Sequence, residues 1–68
     1  MNPPEWRVIG EDPSGRSRYR VEGVAGPDGT CARIAFEALP NVDVQGLYPD
    51  VPSAMAAAVA EAERILSN

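Results

Sequence analysis

Two different spacings of apolar residues divide this chain. Up to about residue 46 they recur at every second position in short runs; from Ser53 onward they recur every third or fourth. The run RSRYRVEGVA (16–25) places Tyr19, Val21 and Gly23 on one side and Arg16, Arg18, Arg20, Glu22 and Val24 on the other. TCARIAFE (30–37) does the same with Ala32, Ile34 and Phe36 against Cys31, Arg33, Ala35 and Glu37. Each predicts a strand with one buried face. EWRVI predicts a shorter strand ahead of them, with Trp6 and Val8 joining the Tyr19/Val21 face, and VDVQG (42–46) a fourth, with Val42 and Val44 inward and Asp43 and Gln45 outward. After Ser53 a helical stripe of Met55, Ala58, Val59, Ala62, Ile65 and Leu66 is expected to face the sheet, with Ala57, Glu61 and Arg64 turned away.

Breaker clusters separate these segments: NPP at 2–4, GEDPSG at 10–15, GPDG at 26–29, LPN at 39–41 and YPDVP at 48–52. GPDG predicts a tight hairpin, in which Pro27 fixes the first turn dihedral and Gly29 takes a positive φ. Setting Ala25 opposite Thr30 then pairs Tyr19 with Phe36, Val21 with Ile34 and Gly23 with Ala32, so the apolar faces coincide. The same register places Glu22 against Arg33 and Arg18 against Glu37, pairs worth about 0.2 to 1 kcal/mol each. Gly46 is expected to let the chain leave the sheet, and either Asp50 or Ser53 to cap the helix, whose first turn tolerates Pro52. The predicted fold is a single α+β domain over residues 1–68: a three- to four-stranded antiparallel meander sheet with one C-terminal helix packed on one face (β-β-β-(β)-α). The other face is left bare. Six alanines between 54 and 62 make the helix thin, so it either settles closely onto its own sheet or offers its outward alanines to a partner's helix.

Composition narrows the chemistry. The chain has neither histidine nor lysine, which removes histidine triads, Ser/Lys dyads, Schiff-base chemistry and the Walker-A lysine. The expectation is a protein that is not an enzyme and uses no cofactor. Cys31 stands alone, with no thiol or histidine to complete a disulfide or zinc site. The start, MNPPEW, lacks signal-peptide character and no apolar run suffices to span a bilayer, so a cytoplasmic location without membrane contact is expected. At 68 residues the chain buries only about 60% of the surface its unfolded form exposes, which favours a protein partner or a self-dimer.

The net charge is −4, yet five of the six arginines, Arg7, Arg16, Arg18, Arg20 and Arg33, are assigned to the bare face or its rim. Arg16, Arg18, Arg20 and Arg33 are therefore the candidate binding residues, suited to a carboxylate-bearing protein or a nucleic-acid backbone. The protein partner is preferred. Readers of single-stranded RNA place aromatics on the open sheet face, whereas Trp6, Tyr19 and Phe36 are all assigned to the buried one. A structural homodimer is the third possibility.

The run FEALPNVDVQG (36–46) resembles the segment of HicB-type antitoxin domains in which a strand ends in phenylalanine, passes a Leu-Pro turn and a short strand, and reaches glycine before an alanine-rich helix. The preceding hairpin with its DG turn and the following helix with Ala54, Ala58 and Ala62 stand in matching order, so the resemblance covers residues 19–66. It implies a sheet-plus-helix domain, similar to part of an RNase H fold without its catalytic carboxylates, that works by binding a small toxin protein. The chain departs from that pattern at Asn41, where glycine is usual, and at Ala38, where an acid is usual. The leading EWRVI strand lies outside the resemblance.

Overall fold

A computed structural model describes residues 5–67, so the breaker at 2–4 lies outside the described residues. Four strands, β1 (Arg7–Glu11), β2 (Tyr19–Gly26), β3 (Gly29–Phe36) and β4 (Val42–Tyr48), form one antiparallel meander in the order β1-β2-β3-β4. Helix α1 (Val51–Leu66) crosses one face of it. This is the expected α+β layer pair.

The β2–β3 hairpin has the register its turn and alternation demand: Tyr19 opposes Phe36, Val21 opposes Ile34, Glu22 opposes Arg33 and Ala25 opposes Thr30. Gly29 sits at φ 141°, closing the two-residue Pro27-Asp28 turn in a region that side-chain-bearing residues avoid. Inside the sheet, Tyr19, Val21, Ala32, Ile34 and Phe36 form the core, with the Tyr19 and Phe36 rings edge to face at 5.9 Å between centroids. Val42 and Val44 pack against this core as expected.

Three expectations about packing are corrected. Ladder pairing between β1 and β2 slips between Val8 and Gly10, so the face that Val8 takes passes to its neighbour. Ile9 packs on the core in its place, while Val8 is exposed and Trp6 lies on the opposite face over Arg33. The helix packs through five of the six predicted stripe residues, Met55, Ala58, Ala62, Ile65 and Leu66, but exchanges Val59 for Ala54. Ala54, Ala58 and Ala62, four residues apart, are its fully buried line, flanked by Met55, Ile65 and Leu66, whereas Val59 is only half-buried and Ala57 and Glu61 are half-buried beside β4. Methyl-sized side chains let the helix backbone approach the sheet, so Ala54, Ala58 and Ala62 serve the helix's own sheet, while Ala56 and Ala60 face outward. Finally, β4 does not end at Gly46. The strand bulges there, with three residues opposite Cys31, and Gly46 at φ 98° supplies the left-handed position that lets pairing resume at Tyr48.

Helix α1 starts at Asp50, the carboxylate of which accepts from the Ser53 amide at 2.8 Å, with Pro52 in the first turn. Ser53 is thus inside the helix rather than its cap. Ser53, through its side chain first and its amide second, holds the Asp50 carboxyl below its ordinary pKa.

Candidate functional site

The β1–β2 loop is organised by one residue that period and charge did not single out. Asp12 is buried and its carboxylate accepts five hydrogen bonds: from the Ser14 amide (2.9 Å) and hydroxyl (2.7 Å), and from the Arg18 amide (3.0 Å), Nε (2.7 Å) and Nη2 (3.1 Å). Asp-Pro-Ser-Gly is an Asx-turn sequence, and that was the available signal. Arg18 also donates from Nη2 to Glu63 of α1 at 2.7 Å, and the Tyr19 hydroxyl donates to the same carboxylate oxygen at 3.0 Å. Loop, strand and helix meet in this cluster. The Arg18 guanidinium, bidentate on Asp12, holds that carboxyl well below the usual carboxylate range, and Asp12 in turn pushes Arg18 up.

Arg18 therefore does not pair with Glu37, although the Glu37 amide does donate to its carbonyl at 2.9 Å and extends the ladder. It reaches instead to the helix side of the sheet. Burial, reinforced by the bond to Glu63, pushes the Tyr19 phenol up to about 12. Because this pKa is raised above the unfolded value near 10, the contribution is complete below pH ~10 and is lost as pH rises toward 12. Tyr19→Phe is expected to flatten the alkaline limb of stability between those values, as read by denaturant midpoints at successive pH; an unchanged limb would show that Tyr19 does not couple to folding.

On the helix-free face the structure brings Arg20 and Arg33 together and leaves Arg16 in the exposed loop. Arg33 donates from Nε to Glu22 at 2.6 Å and lies over the Trp6 ring at 4.3 Å from its centroid. Arg7, expected on this face, instead lies opposite Gly23 on the helix side of the outermost strand, exposed, within 3.6 Å of Glu5. Among the described residues, Arg16 and Arg20 make no ion pair. Two of the four candidate arginines are thus engaged inside the molecule.

What remains on this face is divided along the strands. Toward the β1–β2 loop stand Glu11, Arg20, Glu22, Arg33 and Asp43. Toward the β2–β3 turn stand Trp6, Val24, Cys31 and Leu47, the last 56% exposed, and Val8, 53% exposed, lies opposite Glu22 at the boundary between the two ends. A groove of about 430 Å³ runs between Trp6 and Leu47 over Cys31. An apolar area bordered by charges of both signs departs from the polar alternation of a solvated antiparallel sheet face.

Nothing in the described residues groups three or more potential metal ligands, and no described helix is long and apolar enough to cross a membrane. No family model matches the chain, and no curated protein and no solved structure shows significant similarity to it.

Proposed function

We propose that this chain is a non-enzymatic protein-binding domain that docks through its helix-free sheet face, acting as the HicB-type resemblance implies, by occupying a small protein partner. The observation that carries the reading is the apolar part of that face, where Trp6, just ahead of β1, and Val8, Val24 and Leu47 on the strands face away from the helix. The order β2-β3-β4-α1 agrees with the order that the resemblance requires. The absence of histidine and lysine from the sequence supports binding over catalysis. Engagement of Arg18 and Arg33 in ion pairs moves the expected docking surface from the arginines toward the apolar residues beside them.

The test compares affinity capture from nuclease-treated lysate by the natural chain, by Leu47→Asp and by Ala60→Glu, each shown to be folded. A protein retained near stoichiometry by the natural chain and by Ala60→Glu, and lost from Leu47→Asp, is the expected result. Loss from Ala60→Glu alone would move the docking surface to the outward face of the helix and overturn this assignment.

A further inference from the structure

We propose that the occupant of the helix-free sheet face is a second copy of this chain, packed face to face about a two-fold axis that runs along the β2–β3 hairpin. The inference rests on reading this face as a docking surface and names what covers it. Its basis is the pattern of the face under that symmetry. A two-fold axis along the strands, between β2 and β3, sets β2 over β3 of the second copy and β1 over its β4. The pairs that oppose one another in the β2–β3 ladder then also meet across the interface: Val24 over Cys31, and Glu22 over Arg33.

Because the axis runs along the strands, each end of the face meets its own kind. Trp6, Val24, Cys31 and Leu47 meet the same apolar set, and the charged end meets the charged end with signs opposed, Glu22 to Arg33 and Arg33 to Glu22. An axis perpendicular to the strands would lay the apolar end on the charges instead. The ion pair formed within one sheet at 2.6 Å, its guanidinium partly covered by the Trp6 ring, thus faces its own copy with signs opposed.

Size is consistent with this. The four strands, five, eight, eight and seven residues long, at about 3.4 Å per residue and about 4.8 Å apart, cover roughly 450 Å² in projection, which side-chain relief brings to the lower end of the roughly 600–1,000 Å² per partner of a standard interface. The chain also has a reason to bury this face: its core consists of eight side chains, three of them alanines on the helix. The product is two sheets stacked about 10 Å apart with a helix on each outer side.

Sedimentation equilibrium in the micromolar range is expected to return a mass near twice 7.2 kDa. Leu47→Asp should weaken the dimer by about 100-fold or more, since the change occurs twice in each interface. Glu22→Arg and Arg33→Glu should each be monomeric alone, because each sets like charges over one another, and should form a mixed dimer when combined. Restoration on mixing is an outcome that damage to the fold cannot imitate. As a check that needs no substitution, the emission of Trp6, the single tryptophan, should shift to the red as the natural chain is diluted through dissociation.

A natural chain that is monomeric throughout the micromolar range overturns the second copy as occupant, as does a dimer indifferent to Leu47→Asp. A monomer from which Leu47→Asp still removes a captured protein overturns only the second copy and leaves the face as a docking surface; a monomer with capture unaffected by Leu47→Asp overturns both.

Discussion

Asp12→Ala is expected to lower Tm by on the order of 15 °C, the largest loss from any single change at a charged residue of this protein. The reason is that Asp12 has no exposed side-chain surface and is the common acceptor for Ser14 and Arg18. Its removal leaves the Arg18 and Ser14 amides without their acceptor and frees the arginine that connects the β1–β2 loop to Glu63 of the helix. Asp12→Asn keeps one oxygen for these donors and should fall between Ala and the natural residue. Acid should reproduce the effect. The Asp12 carboxyl is held below its unfolded value near 3.9, so its contribution is complete above pH ~5 and declines as pH falls below ~4. Thermal unfolding followed by circular dichroism from pH 7 to 2 should show a steeper acid decline for the natural chain than for Asp12→Asn. Parallel curves would show that the cluster does not couple to folding.

The second large effect concerns the contact between layers. Ala58 is the middle of the buried alanine line and has no exposed surface, so Ala58→Leu must place three further carbons between helix and sheet. Overpacking of this kind costs about 1–3 kcal/mol. In a chain of this length each kcal/mol moves Tm by roughly 4–8 °C, so a fall of about 4–24 °C is expected. Ala56→Leu and Ala60→Leu, on the exposed side of the same helix, should change Tm by no more than about 3 °C. Equal tolerance at 56, 58 and 60 would mean that the helix does not seat on Ala54, Ala58 and Ala62. The comparison therefore separates close packing from the helix propensity that all six alanines share.

These two sites differ in how they are written in the chain. The alanine line is a period and can be seen as one: the predicted stripe shares Met55, Ala58, Ala62, Ile65 and Leu66 with the packed face and differs in taking Val59 where the sheet receives Ala54. Close approach of helix to sheet favours the smallest side chains instead, and that depends on the distance between layers. Asp12 belongs to no period. Its partners lie two and six residues away, and the arginine it holds reaches Glu63, 45 positions further along the chain. The candidate surface changed in a similar way. Arginines that alternation assigned to one face were divided by ion pairing, and Trp6, assigned to the core, became the aromatic member of the open face.

What the sequence by itself determined is whatever depends on near neighbours: the two-residue turn at Pro27-Asp28, the register of Tyr19–Gly26 on Gly29–Phe36, and the inward valines of β4. In each case a short-range rule, a turn geometry or a two-residue alternation, leaves one consistent answer. Only the tertiary structure decided which way Trp6 and Val8 face, where Arg18 finds its carboxylates, and which line of the helix touches the sheet. A bulge inverts alternation without leaving a repeat in the sequence, a charge takes the partner that folding brings nearest, and a helix turns until its smallest side chains meet the layer beneath.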